Sequence, residues 1–200
     1  MNLLEKITLY DLLGYTLPGC VLLYILQYPD KLVEKNCTTF EMICFIMLGF
    51  LMGIILSEIA ELLTARYTSH PRTKRKMEEK LEVKPSKIRQ ALRTAKILPR
   101  SEQIPENKLA EKYFTNMFSD IQADKQYSRI HNYASAELLY KNMALVCAVC
   151  SPIFGSRQYC MAMWFSITAT LIFLNRWRRF HERKILYTIY WYVHKYTSQK

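Results

Sequence analysis

The chain predicts an all-α integral membrane protein with four transmembrane helices and a basic cytoplasmic helical segment. Three observations carry this. The stretch 40–63, FEMICFIMLGFLMGIILSEIAELL, holds no charge from Met42 to Ser57, and at about 1.5 Å per residue it can cross roughly 30 Å of bilayer hydrocarbon. Apolar residues recur in blocks near 10–28, 138–154 and 159–174, while 65–135 is polar and basic. Lys and Arg are one-sided: 16 of the 28 fall between Arg66 and Arg129 and seven between Arg176 and Lys200, whereas the segments 29–39 and 155–158 hold only Lys31, Lys35 and Arg157. Basic residues beside spans stay cytoplasmic. Both termini and 65–135 are therefore expected in the cytoplasm of a cell whose inner membrane the chain crosses several times. Most of the formal charge of +11 then follows from orientation, which weakens charge as an argument for nucleic acid.

The first span is expected over Leu9 to Tyr28. Asp11 interrupts the apolar region and strong hydrophobicity runs on past Leu17-Pro18-Gly19-Cys20, so this is an uncleaved span rather than a signal peptide. Pro18 in its middle is tolerated when a neighbour satisfies the carbonyl it leaves free. In the second span no polar face appears between Met42 and Leu56, unlike the helix of a soluble bundle. Gly49 and Gly53, four apart, let a second helix backbone approach closely, with the partner left open. Glu58 and Glu61 end this span. They either mark the helix leaving the membrane, pairing with Lys141 or capping the emerging helix, or form an acidic ring at the inner mouth of an oligomeric pore. Residues 1–64 thus make the first membrane hairpin.

The segment 65–135 opens on a charged connector, SHPRTKRKMEEKLEV. Ile88, Ala91, Leu92 and Ala95 then recur at helical spacing until Pro99, and Leu109, Tyr113, Met117 and Ile121 mark a second amphipathic helix. Two such helices bury little alone, so the segment is expected to need the membrane domain or another subunit. Arg129 and His131 next to the third span are candidates for a phosphate or RNA ligand, or simply interfacial polar residues. The third span covers Leu138 to Phe154, with Lys141 free to snorkel towards the cytoplasm, and a tight turn at 155–158 makes the fourth span, Tyr159 to Leu174, its antiparallel neighbour. This second hairpin occupies 136–175. The basic aromatic tail 176–200 places five aromatics between Tyr187 and Tyr196, which suits an interfacial helix on anionic lipid or a surface for single-stranded nucleic acid.

Catalytic patterns are sparse. Cys147 and Cys150 form C-x-x-C with no second pair or nearby His, so no metal and no cofactor is expected. Cys37 and Cys160 fall at the outer face, where an oxidising compartment permits a disulfide. Arg176 and His181 form R-x-x-x-x-H, which resembles the catalytic pair of HEPN ribonucleases, although Trp177 stands where an asparagine or other polar residue is usual. With the small size and multi-span layout, the chain resembles the membrane accessory proteins of type VI-B CRISPR loci, or more broadly small phage-defence membrane proteins. That resemblance implies membrane permeabilisation or depolarisation that strengthens antiviral defence. The expected function is an oligomeric membrane pore or effector, surrounded by membrane lipids and controlled through the basic segment by a protein or nucleic-acid ligand. Two alternatives stay open: a non-conducting scaffold that recruits a cytoplasmic partner, and a membrane-tethered ribonuclease using Arg176 and His181.

Overall fold

Helix is the only regular structure among the described residues of the computed structural model, which are 9–27, 39–68, 85–98, 105–124 and 129–197. The elements are α1 (Leu9–Gln27), α2 (Thr39–Thr68), α3 (Pro85–Thr94), α4 (Glu106–Lys112), α5 (Phe114–Ala123), α6 (Arg129–Ser156) and α7 (Cys160–Thr197). The loop with Cys37 and the connector after Thr68 lie outside the described residues. The chain divides into an apolar unit, Met1–Arg66 with Ser135–Phe180, and a basic unit, Tyr67–Ala134 with His181–Lys200. Helices α6 and α7 supply residues to both.

Two stretches, Thr39–Ala65 and Arg129–Ser156, are long and apolar enough to cross a membrane, and Leu12–Leu26 is a shorter apolar helix. Only 22% of the most apolar window of the first, and 28% of the second, is buried. A core helix of a water-soluble protein would be mostly covered. Among the described residues the exposed large hydrophobic side chains all lie in the apolar unit, with the single exception of Tyr190. An uncovered surface of that extent calls for lipid or protein against it.

Within the apolar unit α1 crosses α2 at glycine. A methyl group on Gly19 would fall on the Gly49 carbonyl oxygen, and one on Gly53 would fall on the Tyr15 carbonyl oxygen. The Gly49 position abuts Cys20. The glycine face expected from the sequence therefore has its partner in the same chain, with Gly19 as the third member. Tyr15 closes edge-on to Phe50 beside the crossing, ring centroids 6.0 Å apart. On the other side of α1, Gly14 admits Leu138 of α6. Ser166 of α7 donates to the Cys147 carbonyl of α6 at 2.7 Å, and Tyr140 of α6 packs against Phe173 and Phe180 of α7.

The tight turn between α6 and α7 is a Schellman ending: Tyr159 N–H bonds the Phe154 carbonyl, Gln158 N–H bonds the Gly155 carbonyl, and Gln158 has φ 61°. Helix α3 ends in the same way, with Ile97 N–H on Leu92, Lys96 N–H on Arg93 and Lys96 at φ 58°. In both places a long polar residue occupies the left-handed position that glycine usually fills.

The basic unit has its own core. Ile88, Ala91, Leu92 and Leu98, then Leu109, Tyr113, Met117 and Ile121, close on Ile130, Ile189, Tyr192 and Val193. The expectation that these helices need another domain or subunit is corrected here, because the chain's own last turns complete them. The tail is accordingly no separate interfacial helix: α7 runs unbroken through it and turns Ile189 and Val193 inward. The second amphipathic helix is split at Tyr113 (φ −105°, ψ 11°) into α4 and α5, although neither Gly nor Pro marks the place. The apolar stripe nevertheless stays in register across the bend.

Gly53→Ala should lower the thermal stability of the detergent-solubilised protein by roughly 1–3 kcal/mol, the usual cost of forcing atoms into a filled contact. Leu56→Ala removes volume and forces nothing apart, so it tests packing loss separately. An unchanged melting temperature for Gly53→Ala would show that α1 and α2 do not touch there.

Candidate functional site

The polar residues of the apolar unit gather where α1, α2 and α6 meet. Proline at position 18 has no N–H to offer the carbonyl four residues back, which belongs to Gly14. Asn142 of α6, with no exposed surface, donates from Nδ2 to that oxygen at 3.1 Å. The freed carbonyl is thus satisfied by a neighbouring helix. The Oδ1 atom of Asn142 has no partner among the described residues.

One residue earlier, Lys141 is 9% exposed and donates from Nζ to Glu61 Oε2 at 2.6 Å. Lys141 is thus held by protein along its length, and of the roles expected for Glu61 the structure contains the pairing with Lys141, its carboxylate neutralising a buried ammonium. Glu58 differs. It is exposed, makes no hydrogen bond or ion pair among the described residues, and falls at three- and four-residue spacing with exposed Met47, Leu51, Ile54, Ile55 and Leu62. A lone carboxylate therefore stands on the face of α2 turned away from the glycine crossing.

The other candidates are dispersed. Arg176 and His181 share the uninterrupted helix α7, and five positions at 3.6 residues per turn direct them about 140° apart round its axis. His131 donates from Nε2 to the Gln122 carbonyl at 3.2 Å, satisfying one of the orphan carbonyls in the last turn of α5, and Arg129 is exposed at the start of α6. Cys160 carries a free thiol, and no group of three or more His, Cys, Asp or Glu able to hold a metal ion occurs among the described residues.

Asp120 organises the basic unit. It accepts from Tyr196 Oη at 2.9 Å and from Lys195 Nζ at 3.2 Å, and Asp124 lies 3.5 Å from the same ammonium. Burial and the hydrogen bond to Asp120 hold the Tyr196 phenol above its ordinary pKa, with the Lys195 charge offsetting part of the rise. Burial works against the Lys195 charge, but its hydrogen bond to Asp120 and the nearby carboxylates carry its pKa upward overall. Tyr192 is fully buried, its hydroxyl has no hydrogen-bond partner among the described residues, and burial, then Tyr196 and Asp120, raise its pKa strongly.

Sequence reasoning did not single out Asn142, Asp120 or Tyr192, and it reads Gly19 only as loosening the first span beside Pro18. A signal for Asn142 exists: Pro18 leaves the Gly14 carbonyl without its helical donor, and an asparagine inside an apolar span is the natural one. No protein-family model, curated protein or solved structure matches the chain.

Asn142→Leu should cost about 1–3 kcal/mol by stranding the Gly14 carbonyl. In a Pro18→Ala background, where the helix supplies its own N–H, the cost should be markedly smaller. Equal costs in both backgrounds, read from a double-mutant cycle of thermal melts, would dissociate Asn142 from the proline.

Alkaline pH offers a second check. Groups with raised pKa retain protons in the folded chain that the unfolded chain releases, so their stabilisation is complete below about pH 10 and declines as pH rises through the folded values. Helix content followed with phenolate absorbance should show this decline. Tyr192→Phe should flatten it and leave stability at neutral pH unchanged or slightly higher, since it removes an unpartnered buried hydroxyl.

Proposed function

We propose that the chain is an integral protein of the inner membrane with four spans, both termini cytoplasmic, that assembles into an oligomeric pore or membrane-perturbing effector. Its basic unit, on the cytoplasmic side, controls opening by binding a protein or nucleic-acid ligand. The layout that resembles type VI-B CRISPR accessory membrane proteins is what points to a role in antiviral defence.

The observation that carries the reading is Glu58. A carboxylate on an apolar surface in contact with lipid is costly, and intramembrane charges face protein or water-filled cavities. If several copies turn this face of α2 toward a common axis, Glu58 meets water and its neighbours Met47, Leu51 and Ile54 become lumen or subunit contacts. The concentration of exposed large hydrophobic side chains in one unit, Tyr190 apart, supports lipid around the rest. Glu61 is assigned a different task from the one its spacing implied, because it is bonded to Lys141.

A ring of Glu58 carboxylates favours cations. Across a salt gradient in liposomes, the wild-type reversal potential should therefore lie toward the cation value, and Glu58→Gln should abolish that preference with the oligomer intact. Glu61→Gln should act through stability instead, by leaving Lys141 buried and unpaired. Unchanged selectivity in Glu58→Gln rejects the lumen assignment. Absence of conductance in the wild type with every ligand tried favours the non-conducting scaffold.

A further inference from the structure

The last turns of α7 present two dissimilar faces. Ile185, Ile189, Tyr192, Val193 and Tyr196 turn into the core of the basic unit. On the far side, Tyr187, Tyr190, Trp191 and His194 recur at three- and four-residue spacing and touch one another. Tyr190 stands edge-on to Trp191 at 5.4 Å between ring centroids, Trp191 lies 5.3 Å from His194, and Tyr190 and His194 are within 25° of parallel. Tyr187 joins Trp191 at 5.9 Å and is braced by Tyr133 of α6 at 5.4 Å. Tyr187 and Trp191 also pack on the core, which holds the array in place, while Tyr190 and His194 are exposed.

We infer that this aromatic face binds single-stranded nucleic acid by stacking bases on Tyr190, Trp191 and His194. The first of two observations chooses this occupant over lipid, and the second, a charge that any anionic partner shares, is compatible with it. The described surface of the basic unit offers aromatic rings without exposed large aliphatic side chains, whereas a face that enters lipid needs such residues and this helix has turned its own inward. The two sequence stretches of the unit also hold 19 Lys and Arg against 9 Asp and Glu, and Arg183 is exposed one helical repeat before Tyr190 on the same side of α7. Phosphate attraction from that charge and stacking on the rings are the two components of binding to an unpaired strand. Base edges need not be read, so the preference is for unpaired over paired strands and not for a sequence.

The inference rests on the proposed control of the membrane unit only in naming its ligand class; binding is measurable without conductance. The test uses the full chain in detergent micelles and a fluorescent single-stranded oligonucleotide, made as RNA and as DNA of one sequence, with fluorescence anisotropy as the readout. Wild type should bind either strand and bind the corresponding duplex more weakly. Tyr190→Leu and His194→Ser, both at exposed positions, should each weaken single-strand binding about 5- to 10-fold, while Tyr190→Phe should retain it. Heparin binding should be equal in all variants. Equal binding of strand and duplex, or full binding by Tyr190→Leu, would overturn stacking and leave charge alone. RNA binding without conductance would sustain this inference and defeat the pore; conductance without stacking-dependent binding would do the reverse.

Discussion

The closest constraint in the molecule is the crossing of α1 on α2. At Gly19, Gly49 and Gly53 the two backbones come so near that a methyl group has no room. Close approach of this kind compensates for the weak drive between apolar helices in lipid, where burying a leucine against another gains little over burying it against an acyl chain. Other features of the apolar unit follow from it. The crossing holds α1 with Gly14 toward α6, and from there Asn142 can reach the carbonyl that Pro18 leaves open. It also assigns the opposite face of α2, with Glu58, to whatever surrounds the chain.

Opposite rules hold the basic unit together. Its core residues are fully covered, its polar groups are tied at Asp120, and its stability comes from ordinary withdrawal of apolar surface from water. One chain therefore contains two regions that solve burial differently. The division explains why average composition looks unremarkable: an apolar half and a charged half cancel.

Much of this was legible. The uncharged run from Met42 to Ser57, the glycine spacing and the turn at 155–158 follow from period and composition, and so do α3 and the stripe from Leu109 to Ile121. What escaped was the pairing of distant stretches. Nothing local to Ile189, Tyr192 and Val193 says that they cover Leu92 and Met117, because an aromatic helix beside basic residues fits a lipid surface equally well. The break at Tyr113 carries no Gly or Pro. Arg176 and His181 of the R-x-x-x-x-H spacing fall on one continuous helix, so the spacing alone brings no further element to them.

The discontinuous core of the basic unit has a consequence for biosynthesis. A chain made from its N-terminus emits α3, α4 and α5 long before Ile189, Tyr192 and Val193 leave the ribosome. At about 5–20 residues per second this interval lasts several seconds. Throughout it the stripe through Leu92, Leu109 and Met117 lacks its cover, while the intervening turns of α6 and α7 are still being made. Closure of the basic unit therefore comes last, and only a completed chain carries its finished core.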